Sequence, residues 1–474
     1  MSRIEPQASG RATGLSRRQM LQRTAAAGAA LPLAHTLVGS NAGAQGQTPL
    51  PAFAVSLPMF SVAERDRRWA AIRANMAKPQ WNLDAIITVV SDEVGSNARY
   101  LTQVELVRYS GGSPQVLFAR DPAKPVLVQA SAARHVQEWT ARLKDGNWLA
   151  DGKMKLLPET GGDALAKLLV AEGYKGPGVR IGVAKLKGTR FDPDGVVSVT
   201  LLETLKAALP GAVFLPIEKW GQDAGPIDEV MLVKSREEQD AIRRAVKANE
   251  QGLAAMVVAS RNGAKRQADL WWAGFTTMVA ANGDDIIRLS IGLDEGGNAS
   301  LGEANSAPMH VGQFCSQEIS SGFQGYGCQI NHTFFIGGAS TPGYSYYRAT
   351  FDALLKAHQK SLAFIQPGKT TYDEFEKYLR KALVEEGGAE GGGGVAVHSG
   401  GMGQARPRGG KDNEMIIQPG HVFDFKPSLA LQRTAIKDVG ERNRQVQLGD
   451  AILVTDNGFV RLGTRPLAPI ATHG

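Results

Sequence analysis

The chain has 474 residues, of which 43% are hydrophobic, and its formal net charge is +7. That length accommodates two or three domains of roughly 100–200 residues each. Residues 1–44 carry five arginines and one glutamate, so the rest of the chain has a net charge of only +3. Such a small excess excludes the broad basic surface that a nucleic-acid-binding protein needs, and it argues against binding to anionic membranes.

A twin-arginine motif, Arg17 and Arg18, stands near the start of the chain. Residues 24–50 contain no Lys, Asp or Glu, and the small residues 42–44 end the apolar part. That part is shorter and less apolar than a spanning helix of about 20 residues. We therefore predict a cleaved twin-arginine signal peptide over residues 1–44, with a disordered arginine-containing tail as the alternative. The mature protein is then expected to be periplasmic or secreted in a bacterium, without membrane association.

Residues 62–226 alternate short apolar runs with segments of helical spacing, after an extended, proline-rich lead-in at residues 45–61. The runs predict buried strands and the spaced segments predict helices. The strands are expected at 83–90, 115–119, 125–128 and 179–183, and the helices at 65–76, 130–143, 162–173 and 197–208. Strands that alternate with helices indicate an α/β domain with a parallel or mixed sheet.

Residues 227–465 form a second predicted domain, followed by a tail at 466–474. It opens with a capping box, in which Ser235 and Glu238 satisfy each other's backbone N–H groups. Residues 314–320 and 325–335 predict a hairpin. If Glu318 lies opposite Gln329 in that hairpin, then Cys315 and Cys328 share the other face but lie about 13 Å apart at ~3.3 Å per residue. That distance excludes a disulfide between them.

Five segments of the chain, taken in order, resemble the creatinase/aminopeptidase P family of pita-bread proteins, which includes the Xaa-Pro peptidases. They are the helix that starts at Ser235, the hairpin, the turn at 365–372, the glycine-rich segment at 398–403 and the closing strands at 418–427 and 446–455. The resemblance covers residues 62–465. It implies helix pairs over a curved antiparallel sheet in the second domain, a homodimer, and a site for two metal ions.

The family's peptidases hold those ions with two aspartates, a histidine and two glutamates, and this chain differs at every one of the five positions. The residues found there are Glu318, Gln329, Met402, Lys426 and Gly449. An amide and a thioether are poor ligands for such ions, and an ammonium repels them. If the last strand were matched to the family pattern one residue later, Asp450 would stand at the fifth position instead of Gly449. The Asp450 side chain, however, lies on the opposite face of the strand. We therefore expect no metal ion and no other cofactor.

The same segments supply the candidate site residues. Glu318, His398 and Lys426 are the candidate catalytic groups, and the candidate substrate-binding residues are Gln329, Asn331, Asp424, Arg406 and Glu303. Glu318 would act as a general base for water while Lys426 stabilises an oxyanion, or the two would form only a structural salt bridge. His310 and His421 stand at turns, where we expect them to be exposed.

These residues lead to one functional hypothesis and two alternatives. The hypothesis is a metal-independent hydrolase that cleaves an amide-like C–N bond in a small molecule or short peptide. The first alternative is an inactive protein that binds a ligand or peptide in the former metal cavity. The second is a single relocated metal ion bound by Glu318, His398 and Asp424.

Overall fold

The computed structural model describes most of the chain after the lead-in. The described residues are 60–89, 97–104, 114–130, 132–144, 148–187, 194–217, 225–282, 286–294, 302–387, 393–394, 397–402, 414–431 and 444–473. The predicted signal peptide and Arg406 lie outside these ranges. Within them, no helix is both long enough and apolar enough to cross a bilayer.

The first part of the described chain builds one mixed sheet with helices around it. Its elements are α1 (Val62–Met76), β1 (Ala85–Thr88), α2 (Asn97–Thr102), β2 (Gln115–Ala119), β3 (Val126–Gln129), α3 (Ala133–Lys144), β4 (Met154–Leu157), α4 (Gly162–Ala171), β5 (Arg180–Val183), α5 (Val199–Ala208) and β6 (Val213–Pro216). The strand order is β4-β3-β2-β1-β5-β6, with β1 antiparallel to β2 and parallel to β5. The predicted α/β domain is confirmed.

The edge strands β4 and β6 of this sheet are additions to the predicted set. The inner strands β1, β2 and β3 are buried at every residue, so they read as continuous apolar runs. In β4 and β6 most residues are partly exposed. Each carries an apolar run of only four residues, which Lys155 interrupts in β4 and Pro216 ends in β6, so the strand signal is weak.

The second part of the chain contributes helices and antiparallel strands. The helices are α6 (Asp228–Leu232), α7 (Arg236–Arg261), α8 (Gln267–Asn282), α9 (Tyr344–Phe364) and α10 (Tyr372–Gly387), and the strands are β7 (Ile286–Asp294), β8 (Phe314–Phe323), β9 (Tyr326–Gly327), β10 (Asn331–His332), β11 (Phe334–Phe335), β12 (Gly393–Gly394), β13 (Val397–Ser399), β14 (Val422–Phe425), β15 (Ser428–Leu429), β16 (Val446–Thr455) and β17 (Gly458–Arg461). The predicted capping box is present, since Ser235 Oγ accepts from Glu238 N and Glu238 Oε2 accepts from Ser235 N. Helices α7 and α8 pack as one pair, and α9 and α10 as another.

The strands of this part run antiparallel to their neighbours in two groups. One group has the order β12-β15-β16-β14-β13, with β10 and β17 also paired to β16, and the other has the order β11-β8-β7. Odd-numbered residues of β7, such as Leu289 and Ile291, are buried against the helices. Trp271 of α8 donates its indole N–H to the Leu289 carbonyl on this side. Even-numbered residues of β7 therefore face the opposite side of the sheet.

The register of the β8 hairpin differs from the predicted one. The turn consists of Gln324 and Gly325, with φ angles of 53° and 82°, as a two-residue type I′ turn requires. It pairs Phe323 with Tyr326 and Ile319 with Ile330. Glu318 therefore lies opposite Asn331, not opposite Gln329 as predicted. The error is two residues, so each side chain stays on the predicted face.

Both cysteines of the chain are buried as free thiols. Cys315 pairs with Phe334 across β8 and β11. The hairpin register places Cys328 opposite Ser321 instead. The two thiols are thus six residues apart along β8, at about 3.3 Å per residue.

A buried ionic contact joins the first domain to the second. Glu238 of α7 accepts from Arg67 at 2.9 Å and from the Tyr326 hydroxyl at 2.7 Å. Arg68 is fully buried beside it, with Nη2 3.7 Å from Glu238 Oε1 and Nε 2.6 Å from Glu64 Oε1. Tyr326 stands at the turn of the β8 hairpin, so this contact ties that hairpin to helix α1.

Candidate functional site

The candidate residues lie on one polar side of the antiparallel strands. Ser290 of β7 pairs with Glu318 of β8, and Asn331 of β10 pairs with Gly449 of β16. In the next row, Asp424 of β14 pairs with His398 of β13. Since side chains alternate along each strand, these positions face the same side. We call the side chains of Arg288, Glu318, Ser320, Gln329, Asn331, His398, Asp424 and Lys426 the polar face.

A buried ammonium lies at the centre of the polar face. Lys426 Nζ is 3.0 Å from Glu318 Oε1 and also donates to the side-chain oxygen of Gln329. The Lys426 side chain is only 8% exposed. Lys426 thus contacts both positions at which the family's peptidases carry aspartate ligands.

Glu318 has a second cationic neighbour that the sequence did not suggest. Arg288 Nε of β7 lies 2.6 Å from Glu318 Oε2. Each oxygen of the Glu318 carboxylate therefore contacts a cation. This arrangement leaves Glu318 suited to holding Lys426 in place rather than to removing a proton from water. The even-numbered position of Arg288 in β7 could have placed it on the same face as Glu318. That inference also requires the register between β7 and β8, which the sequence does not give.

Gly449 provides the space that the Lys426 side chain occupies. A Cβ atom on Gly449 would lie 2.5 Å from Asn331 Oδ1 and 2.9 Å from Lys426 Cγ. Position 449 therefore lies on the polar face, as the family resemblance predicts. Neighbouring Asp450 is fully buried and points away, where its Oδ1 accepts from Arg465 Nη1 at 2.7 Å. Burial alone would raise the pKa of Asp450, but Arg465, His358 and Arg461 together outweigh it and lower that pKa.

Asp424 is the buried acid of the site. Its Oδ1 accepts from the Gln329 backbone N–H at 2.9 Å, and its Oδ2 lies 3.5 Å from His398 Nδ1 without hydrogen-bond geometry. Burial raises the pKa of Asp424 to about 7, although the nearby Lys426 charge lowers it. Asp424 therefore exchanges its proton near neutral pH. At 3.5 Å its Oδ2 is close enough to favour the protonated form of the His398 ring by charge.

Met402 replaces the family's histidine ligand and belongs to the apolar core. Its side chain is 2% exposed and packs with the hydrophobic cluster of the domain. Its methyl group lies close to Gly325, where an added Cβ would be 2.7 Å from Met402 Cε. Met402 thus packs against the turn of the β8 hairpin.

The residues present do not fit the two-metal site of the family's peptidases. Within the described ranges, no three His, Cys, Asp or Glu side chains are grouped so that they could hold a metal ion. The donors at the five positions are a carboxylate that contacts two cations, an amide that binds an ammonium, a buried thioether, the ammonium itself and a glycine. Lys426 places a fixed positive charge between the first two positions, which opposes a second cation there.

Three of the remaining expectations can be compared with the structure. Glu303 is exposed, and no contact joins its side chain to the polar face among the described residues. His421, expected at an exposed turn, is instead buried, and burial lowers its pKa to about 4. That prediction was wrong because the turn packs against Val233 and Lys234 at the start of α7. His310 is exposed, as predicted.

Comparisons with known proteins agree with this architecture. Residues 240–456 match the model of metallopeptidase family M24. An X-Pro aminopeptidase from Thermotoga maritima is 14% identical, with a TM-score of 0.61 over 85% of this chain and 99% of that one. The dipeptidase PepE from Mycobacterium ulcerans is 19% identical, with a TM-score of 0.63 over 88% of this chain and 100% of that one.

A third structural neighbour is not named as a peptidase. It is the N-terminal domain of the FACT complex subunit SPT16 from chickpea, 13% identical, with a TM-score of 0.60 over 86% of this chain and 97% of that one. No curated protein sequence matches the chain. Residues 240–456 therefore match metallopeptidase family M24, in line with the resemblance to the creatinase/aminopeptidase P proteins, and the helix pairs, the strand order and the solved structures show that the chain has the pita-bread fold.

Proposed function

We propose that the chain is a metal-independent hydrolase that cleaves an amide-like C–N bond in a small molecule or short peptide. One observation carries the proposal. The Asp424–His398 pair lies on the same polar face as the buried Lys426 ammonium. An acid–base group beside a carboxylate and a fixed cation are the two elements that amide hydrolysis needs when no metal activates the water.

The proposed reaction assigns one role to each of these residues. His398 accepts a proton from water as the water oxygen attacks the carbonyl carbon, and the Lys426 ammonium stabilises the negative charge that develops on the carbonyl oxygen. His398 then gives its proton to the leaving nitrogen as the C–N bond breaks, which yields a carboxylic acid and an amine. Asp424 supplies a carboxylate 3.5 Å from the imidazole that stabilises its protonated form, while Glu318 and Gln329 hold Lys426.

The test is an assay of amine release by protein that has been stripped of metal. The protein is treated with a chelator and dialysed, elemental analysis confirms the metal content, and N-acyl amino acids and dipeptides, including Xaa-Pro dipeptides, are offered. We expect turnover that chelation does not reduce and that His398→Gln and Lys426→Met each abolish. Lys377→Met is the matched control, because Lys377 is an exposed lysine of α10 that pairs with Asp373. Activity that appears only with added Mn²⁺ or Zn²⁺ and survives in Lys426→Met would overturn the proposal.

A second candidate function is non-catalytic binding of a ligand or peptide on the same face. The Lys426 ammonium already donates to Glu318 and Gln329. Because these polar groups are occupied by one another, the observation favours a binding role over catalysis. The resemblance to a domain named as a subunit of the FACT complex shows that the fold also occurs outside proteins named as peptidases. Saturable binding without turnover of any compound in the panel would select this function over the hydrolase.

The place of action and the assembly state are proposals of their own. The twin-arginine motif supports export to the periplasm or beyond, and the family resemblance supports a homodimer. Fusion of residues 1–44 to a reporter that is active only outside the cytoplasm tests export, with Arg17→Lys and Arg18→Lys together as the control. Sedimentation velocity of the mature protein tests the dimer.

A further inference from the structure

Arg288 has binding capacity that its contact with Glu318 does not use. Its Nε faces Glu318 Oε2 at 2.6 Å, and the side chain is 50% exposed. Glu318 is the only ion-pair partner of Arg288 within the described ranges. The guanidinium has five N–H donors in a planar fork that suits a carboxylate. Arg288 therefore retains donors at the open side of the polar face.

Ser320, directly across the strands from Arg288, carries a buried hydroxyl group without a partner. Arg288 and Ser320 form a cross-strand pair of β7 and β8, so their side chains lie on the same face. Ser320 is fully buried, and its Oγ has no hydrogen-bond partner in the described structure. Leaving a buried hydroxyl unpaired is unfavourable, because the group has lost its hydrogen bonds to water and gained none in the protein. A ligand oxygen that accepts from Ser320 Oγ would remove this cost.

Asn331 presents an unpaired acceptor in the adjacent row. Its Nδ2 donates to the Gln317 carbonyl at 2.8 Å and to Gln447 Oε1 at 3.2 Å. Its Oδ1 is buried without a partner, above Gly449. The two bonds made by Nδ2 fix which end of the amide faces the site. An N–H group of a ligand could donate to Asn331 Oδ1 and satisfy it.

We propose that Arg288 and Ser320 form a carboxylate-binding subsite and that Asn331 Oδ1 accepts the N–H of the ligand's amide. The ligand class is then a secondary amide that bears a carboxylate, such as an N-acyl amino acid. This inference rests on the proposed function for the identity of the reacting bond, but the binding step stands without catalysis. An Xaa-Pro bond lacks the N–H that Asn331 requires. Xaa-Pro peptides are therefore disfavoured ligands.

Calorimetric titration with three small probes tests the subsite. N-acetylglycine carries both the carboxylate and the amide N–H, N-acetylglycinamide lacks the carboxylate, and N-acetylsarcosine lacks the N–H. We expect saturable binding of N-acetylglycine, with each of the other two weakened about tenfold or more, as the loss of a charged or buried hydrogen bond predicts.

Two variants and one matched control connect this affinity to the named residues. Arg288→Gln should weaken N-acetylglycine by about 10- to 100-fold and leave the neutral N-acetylglycinamide unchanged. Ser320→Ala should weaken it while the protein stays folded, because the hydroxyl makes no bond in the protein. Arg348→Gln is the control, because Arg348 is 55% exposed and also contacts a carboxylate through Nε, at 2.9 Å.

The outcomes separate this inference from the proposed hydrolase function. Equal binding of the three probes, no binding of N-acetylglycine, or an equal effect of Arg288→Gln and Arg348→Gln would overturn the subsite. If amide hydrolysis proceeds but depends on neither the carboxylate nor Arg288, the hydrolase stands and the subsite falls. If N-acetylglycine binds through Arg288 without turnover, the subsite stands and the hydrolase falls.

Discussion

The side chain of Lys426 lies directly against the backbone of Gly449. A Cβ atom on Gly449 would be 2.9 Å from Lys426 Cγ and 2.5 Å from Asn331 Oδ1. Contacts below 3.0 Å are almost never seen for real Cβ atoms. The Lys426 side chain therefore fits in this position because residue 449 has no side chain.

The first prediction concerns that packing. Gly449→Ala should lower the free energy of unfolding by about 1–3 kcal/mol, the usual cost of overpacking. In the Lys426→Ala background the same change should cost less, because the lysine stem no longer opposes the new methyl group. Gly302→Ala is the control, since a Cβ there meets nothing within 4 Å. Denaturant unfolding measures all five proteins, and an equal cost of Gly449→Ala in both backgrounds would refute the coupling.

The second prediction concerns the buried ion pair. A double-mutant cycle with Glu318→Gln and Lys426→Met should give a coupling energy of about 1–3 kcal/mol in unfolding free energy. The pair Lys377 and Asp373 on α10 provides the exposed comparison. Its cycle should give a much smaller coupling, because water and salt screen this exposed pair. Similar values for the two cycles would show that Lys426 is not held by Glu318.

The third prediction concerns the pH dependence of stability. Burial raises the pKa of Asp424 to about 7, whereas an aspartate in the unfolded chain titrates near 3.9. The folded protein therefore binds the extra proton between about pH 4 and pH 7. The contribution of Asp424 is fully present below about pH 4 and is lost as the pH rises through 7. A shift of roughly three units corresponds to about 4 kcal/mol.

The measurement is the unfolding free energy of the wild type and of Asp424→Asn across that pH range. The difference between the two isolates Asp424. Buried His421, whose pKa burial lowers to about 4, contributes the opposite slope in both proteins. We expect the wild type to lose stability relative to the variant as the pH rises from about 4 to 7. A difference that stays constant with pH, or that changes in the other direction, would rule out a raised pKa.

The fourth prediction concerns the contact between the domains. Arg68 is fully buried between Glu64 and Glu238, with its guanidinium 4.3 Å from the Phe60 ring centroid. Arg68→Met should destabilise the protein by about 3–5 kcal/mol, because it removes the buried counter-charge of Glu64 and Glu238 and leaves them only the partly exposed Arg67. Arg243→Met removes an exposed arginine of α7 and should cost about 0.5 kcal/mol or less. Thermal unfolding of both variants makes the comparison, and equal losses would contradict the buried-charge explanation.

Much of the fold could be predicted because its signals are local. The capping box at Ser235 and the fully buried strands β1 to β3 are visible in a few consecutive residues. The face of each strand follows from alternation, so Glu318 and Asn331 were assigned to one side despite the error in register. The edge strands β4 and β6 escaped prediction because each apolar run is only four residues long and is interrupted by Lys155 or ended by Pro216.

The details of the site could not be predicted because they depend on contacts between distant segments. Arg288 precedes Glu318 by thirty positions, and only the pairing of β7 with β8 brings them to 2.6 Å. His421 is adjacent to a turn glycine, yet the packing of that turn against α7 buries it. The raised pKa of Asp424 likewise arises from burial by other strands, which no short sequence motif expresses.

The hydrogen bond between Tyr326 and Glu238 also makes the position of the site hairpin depend on the first domain. Tyr326 sits at the turn of the hairpin that carries Glu318, and Glu238 is held in turn by Arg67 of the first domain. A second domain produced alone would lose Arg67 and Arg68, the two guanidinium groups that face Glu238. A chimera with another first domain would therefore need arginines at equivalent places on its first helix to keep the site hairpin where it lies here.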